Sequence, residues 1–301
     1  MTAGKRLTAV TAAACFLSFC AGAMRAQEKS GNSSWLEGEE AVFTAADGWK
    51  IFGTYAGPSG DRPVVVLMHS RGRKKEEWQP LTSALTRWGY GWLAFDFRGH
   101  GFSIIEPSGS TTTYKNFRRT GTDNEFNRMV RDAEAALEWL SSDKGVNEDR
   151  VILAGAGLGA NIAIKTAAIH SAIPMIAVLS PSLNANRDVL SVNPLRAYGR
   201  RPLLMIAGAD QGRHYKEFQL LNDIAKNSIG VSRVISIIQP KGSGTKLLTK
   251  AVMRKIFEWL RNPEMPAEVV VSTSAVVSTS AFVSTGAVPV EGQFFPEDEK
   301  E

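Results

Sequence analysis

The stretch Val151-Ile-Leu-Ala-Gly-Ala-Gly-Leu-Gly-Ala-Asn161 constrains this chain more than any other. A short apolar run, Val151 to Leu153, enters a turn dense in glycine and alanine, and a helix-like run, Ala160 to His170, follows at once. An apolar run this short that does not alternate in polarity fits a strand buried on both faces. Strand, sharp turn and helix then follow one another without a linker, and the glycines Gly155, Gly157 and Gly159 are the residues that allow so tight a turn.

The rest of the chain repeats the alternation. Ala41 to Thr44 and Lys50 to Tyr55 flank Asp47-Gly48, a hairpin signal. Pro63 to Met68 and Gly91 to Asp96 read as buried strands, as do Ile176 to Pro181, Pro202 to Ala207 and Val234 to Ile238. Helical spacing covers Glu77 to Arg87, Phe126 to Leu140, Phe218 to Ala225 and Leu247 to Leu260, and Ile104 to Asn124 reads as irregular. Strands alternating with helices predict an α/β fold, a mostly parallel central sheet with helices on both faces. Ligands of such sheets bind beyond the carboxyl ends of the strands.

Residues 35–262 are expected to form this one domain, and 44% hydrophobic with 22% charged residues is an ordinary globular composition for it. Before it, Lys5 and Arg6 followed by apolar Leu7 to Ala23 read as a cleaved signal peptide over 1–26, with Ala21, Ala23 and Ala26 as small residues for the cleavage site. Residues 27–34 read as a polar linker. The protein is therefore expected to be exported, periplasmic or extracellular, without a transmembrane helix in its mature form. Lipoprotein anchoring at Cys20 is disfavoured by the large Phe19. Both cysteines, Cys15 and Cys20, fall inside the signal, so the mature chain is expected to lack disulfides, cysteine metal sites and cysteine nucleophiles. After Pro263 come three hexapeptide copies, beginning at Val271, Val277 and Val283, and an acidic end. Residues 263–301 read as a low-complexity, disordered tail. The net charge of +5 is modest and scattered. The densest basic cluster, Arg71-Gly-Arg73-Lys-Lys75, reads as a solvated loop, and no nucleic-acid partner is expected.

Six motifs share one order: His69-Ser-Arg-Gly72 after a strand; Asp96-Phe-Arg-Gly-His-Gly-Phe-Ser103; Gly155-Ala-Gly-Leu-Gly-Ala-Asn161; Leu179-Ser-Pro-Ser-Leu-Asn184; Ala207-Gly-Ala-Asp-Gln211; and Gly242-Ser-Gly-Thr245 before the last helix. On these motifs, spanning roughly Val42 to Leu260, the chain resembles the α/β-hydrolase superfamily, in particular its bacterial esterase/lipase and serine-aminopeptidase-like branch. The resemblance implies that Gly155 to Gly159 is the nucleophile elbow, G-x-S-x-G, with Ser, Asp and His following in that chain order. Here the nucleophile position holds Gly157, the acid position Gln211 and the histidine position Ser243. Asp210 and His214 are the possible substitutes. The backbone N–H groups of Ser70 and Leu158 take the positions of the oxyanion hole, and His69 and His100 those of structural residues beside the pocket.

A serine or threonine hydroxyl is a poor nucleophile without a base. Ser70, Ser103, Ser180 and Ser243 near the expected pocket mouth have no recognisable base partner and read as turn and cap hydroxyls. The expectation is a hydrolase fold whose triad is lost, acting as a binding or scaffolding module for a small acyl, ester or carboxylate ligand or for a protein partner. The alternative is a hydrolase with rewired catalytic residues. No metal or cofactor is expected. Gly155-Ala-Gly157 with Ala160 also matches a permissive dinucleotide fingerprint, but its strand lies in the middle of the chain rather than first in a βαβ unit.

Overall fold

The computed structural model describes Met1 and residues 36–186, 188–263 and 270–271. The expected signal peptide and linker, and the tail beyond 263 except for residues 270–271, lie outside the described residues.

One sheet of nine strands organises the domain. The chain opens with a hairpin, β1 (Glu39–Thr44) and β2 (Lys50–Ala56), turned at Asp47-Gly48 as its sequence predicts. β3 (Val64–Met68), β4 (Gly91–Phe95), β5 (Val151–Ala156), β6 (Met175–Leu179), β9 (Leu203–Gly208) and β10 (Val234–Gln239) are mutually parallel. The spatial order is β1-β2-β4-β3-β5-β6-β9-β10-β11, where β11 (Val270–Val271) adds a two-residue parallel edge. β7 (Asn184–Ala185) and β8 (Val189–Leu190) form a separate small hairpin.

Helices cover both faces. Every residue of β3, β4 and β5 is buried, and alternate side chains go to opposite sides. Val64, Val66 and Met68 join a core with Phe126, Met129, Ile162 and Phe218, supplied by α2 (Glu125–Lys144), α3 (Leu158–Ile169) and α5 (Arg213–Ile229). Val65 and Leu67 join a second core with Leu81, Leu85, Val252 and Trp259, supplied by α1 (Gln79–Arg87) and α6 (Lys250–Arg261). This two-sided burial is why the strand sequences read as continuous apolar runs. α4 (Val192–Ala197) and the β7–β8 hairpin are too short to show a period in the sequence.

Two buried polar knots hold the loops above the sheet. Arg98, fully buried, donates from its backbone and guanidinium to Asp132 on α2 and in a two-point pair to Asp47 of the hairpin turn. Asp96 accepts from the backbone and Nζ of Lys75. The basic cluster is thus not uniformly a solvated loop, since Lys75 is only 3% exposed and pairs with Asp96 and Glu76. A buried ammonium needs such partners to offset its lost hydration.

Candidate functional site

β3 has β4 on one side and β5 on the other, so the chain reverses its direction of travel across β3. At such a switch point the loops from the two halves diverge and leave a crevice beyond the strand ends. Two contiguous cavities lie there, of about 330 Å³ and about 300 Å³. Both are lined by Arg71, Gly157, Leu158, Ser180 and Ser243.

At the elbow, Gly157 has φ +54° and ψ −115° between the end of β5 and the first residue of α3. A side chain is strained in that conformation, and glycine is not. The outer glycines have a different role. A Cβ on Gly155 would stand 2.2 Å from the Gly159 carbonyl oxygen, and one on Gly159 would stand 2.2 Å from that of Met68. Those two positions are forced by the close crossing of α3 over β5 and β3. The middle position is not, because a Cβ at Gly157 would meet Ser70 at an ordinary 3.4 Å. There is room for a side chain at this position, and glycine supplies none.

The three positions Gly157, Gln211 and Ser243 line the same larger cavity, together with His214. Gln211 Nε2 donates to Asp210 Oδ1 at 2.7 Å, and the same carboxylate oxygen accepts the Gly242 N–H at 3.0 Å. Asp210, the possible substitute acid, therefore anchors the loop that carries Ser243. No hydrogen bond joins it to His214 among the described residues.

The remaining histidines are engaged elsewhere. Phe97 N–H donates to His69 Nε2, which leaves Nδ1 to donate to the Ser70 carbonyl. Gly72 N–H donates to His100 Nε2, and His100 Nδ1 donates to the Arg98 carbonyl. Both rings are neutral, and both nitrogens of each are used. Burial, with His69 beside it, pushes His100 down to about 3. The pair stands behind the cavity wall and holds the Ser70–Gly72 loop in shape. His170 lies at the far end of α3, its Nδ1 2.7 Å from a Glu148 carboxylate oxygen. His214 is exposed and is the only one of the four histidines lining the cavity.

The oxyanion expectation requires a correction. Ser70 N–H already donates to Glu77 Oε1 at 2.5 Å, and Glu77 Oε2 accepts the Thr245 hydroxyl at 3.2 Å. Glu77 sits in a 3₁₀ turn, Lys75–Trp78, that folds its carboxylate back over the elbow. Of the two expected donors, only the Leu158 N–H, in the first turn of α3 and without an intrahelical acceptor, is open to a ligand. Ser103 fits the structural reading, donating to the Asp96 carbonyl and accepting from Phe52 N–H.

Sequence reasoning missed several residues that shape the cavity. Asn161, fully buried, donates to the carbonyls of Ser182 and Val189 and accepts from Ser182 N–H, fixing the loop after β6 as one wall. A single amide on an apolar helix was the available signal. Tyr215 and Phe218 stack with ring centres 6.3 Å apart and form an apolar wall. They went unassigned because the spacing shows the helix only from Phe218, whereas α5 starts at Arg213, after a glycine, Gly212, with the elbow's own backbone angles. Two non-glycine residues have left-handed φ among the described residues, Ser180 (+52°) and Asn186 (+54°), and both line this cavity. Backbone strain of this kind concentrates at ligand sites.

Strand order, helical cover and elbow define an α/β-hydrolase fold. Residues 60–228, more than half of the chain, match the sequence profile of the serine aminopeptidase S33 family, and the chain belongs to that family. An uncharacterised protein of Mycobacterium tuberculosis is 29% identical over 139 residues, which is 45% of this chain and 43% of that protein. An uncharacterised protein of Salmonella typhi is 28% identical over 131 residues, 42% of this chain and 39% of its own. The chain thus matches less than half the length of these relatives. Among solved structures, an esterase of Pyrococcus furiosus superposes with a TM-score of 0.60 at 19% identity, over 75% of this chain and 93% of the other. A 2,6-dihydroxy-pseudo-oxynicotine hydrolase superposes with a TM-score of 0.58 at 13% identity, over 80% and 72%. These likenesses show the fold.

Proposed function

We propose that this chain is an exported member of the family that has lost serine-hydrolase activity and uses the cleft as a binding module. The observation that carries the reading is Gly157. The elbow keeps its backbone and its space, but the residue at its apex has no atom with which to attack a carbonyl. Gln211 and Ser243 line the same cavity, where an acid and a histidine would be required. Loss of a triad costs on the order of 10⁶ in turnover. Export rests on the N-terminal sequence alone. Mass spectrometry of the secreted form is expected to give a start near Met24 or Gln27 and no thiol; a retained, lipid-modified Cys20 would contradict it.

A second reading, a rewired hydrolase, draws on His214 lining the cavity with Ser180, Ser182 and Ser243. A serine-reactive phosphonate probe separates the two. We expect no adduct on the full-length chain. A stoichiometric adduct would establish the second reading and remove the first.

A further inference from the structure

Among the described residues, the lining of the cleft carries more cations than anions. Arg71, Arg73 and Lys246 line the smaller cavity, and Arg71 lines the larger one as well. Among the described residues, no carboxylate forms an ion pair with any of them. The one carboxylate in the lining, Glu77, accepts from the Ser70 N–H and the Thr245 hydroxyl, so three cations face one anion. Solvated surface cations are common and mean little singly. Arg71, however, has a side-chain partner that points it. Its guanidinium donates to Asn186 Oδ1 at 3.1 Å, and Asn186 adopts a left-handed backbone, φ +54°, in doing so. A neutral amide orients the charge without neutralising it, and an oriented guanidinium is suited to grip a planar carboxylate at two points.

The larger cavity is also lined by the apolar side chains of Leu158, Tyr215 and Phe218. A ligand that satisfies both ends has an apolar body and one anionic head.

We propose that the cleft binds a small amphipathic organic acid, its carboxylate gripped by Arg71 and its apolar body against Tyr215 and Phe218. This rests on the reading of the cleft as a binding site and names its ligand class. Asn186 is a positioning residue: it sets the direction of Arg71.

The test uses octanoate and its neutral counterpart octanamide, titrated calorimetrically into the full-length chain at low salt. Octanoate is expected to bind about tenfold more tightly, the size of one charge-assisted hydrogen-bonded contact. In Arg71→Gln the preference should disappear while octanamide affinity is unchanged. Asn186→Gly should reduce the preference without touching the charge. Arg150→Gln, at the opposite end of the sheet, should alter neither, and an unchanged melting temperature shows that each variant folds. Equal affinity for acid and amide, or a preference that survives Arg71→Gln, overturns the ligand class and leaves the cleft a binding site. Binding of neither compound overturns it as well. Turnover of an octanoate ester would instead sink the inactive-protein reading while the charge preference stood.

Discussion

Gly157 decides the chemistry, and its substitution separates catalysis from stability. Gly157→Ser restores a hydroxyl where the cavity has room for it, but no imidazole is placed to take its proton. We expect negligible hydrolysis of a small activated ester from Gly157→Ser alone, and measurable hydrolysis only when Gln211→Asp and Ser243→His are added. Stability should fall by about 1–3 kcal/mol, because serine must adopt the left-handed turn that glycine takes freely. Full activity of the single variant would show that a base, with His214 the first to test, already serves the elbow. His100 makes a second prediction. Its folded pKa of about 3 lies below the usual value of 6.5, so the unfolded chain takes up a proton that the folded chain refuses. The stability this contributes is complete above about pH 6.5 and is lost progressively as pH falls toward 3. Between pH 7 and pH 5 the loss is about 2 kcal/mol. Urea midpoints should therefore fall more steeply with acid in the parent than in His100→Asn, even though that variant starts lower. Equal slopes would mean that His100 is not held neutral.

At the scale of elements, the decisive contact is α3 crossing β5 and β3 at glycine distance. Gly159→Ala places a methyl group 2.2 Å from the Met68 carbonyl oxygen, and backbone cannot yield as a flexible side chain does. We expect a loss of about 3 kcal/mol in denaturant unfolding, the upper end of the usual overpacking range. An unchanged midpoint would show that the helix can lift from the sheet. The loop of Ser243 shows the same logic built from polar contacts. Asp210 accepts from Gly242, Ser180 Oγ accepts the Gly244 N–H at 2.9 Å, and Glu77 takes the Thr245 hydroxyl. Three different elements hold this loop over the elbow, which keeps the cleft shaped.

For the whole molecule, the two cores draw on no residue later than Leu260 among the described residues. Val270–Val271 pairs with Ile237–Ile238 at the edge of β10. Truncation after Asn262 should therefore move the melting temperature by only a few degrees, given roughly 2–4 °C per kcal/mol for a domain of this size. A large fall would assign the tail a structural role on the sheet edge, where an unpaired strand invites partners.

The fold was legible because its signals are local. Continuous apolar runs such as Val64 to Met68 mark strands buried on both faces, and glycines at 155 and 159 mark a helix turned back on its own strand. The vacancy at Gly157 is visible for the same reason, since a motif five residues long carries its own register. Other features depended on contacts between residues far apart in the chain. Glu77 occupies the Ser70 amide, His69 and His100 are held neutral behind the wall, and Asn186 aims Arg71 across a separation of 115 residues. No period or spacing records such pairings, because each depends on where the loops of separate strands converge. The sequence by itself determined that this chain builds the hydrolase scaffold with a glycine at the centre of its elbow. Only the tertiary structure decided which charges face the cleft, because that depends on which of them the folded chain leaves without a partner.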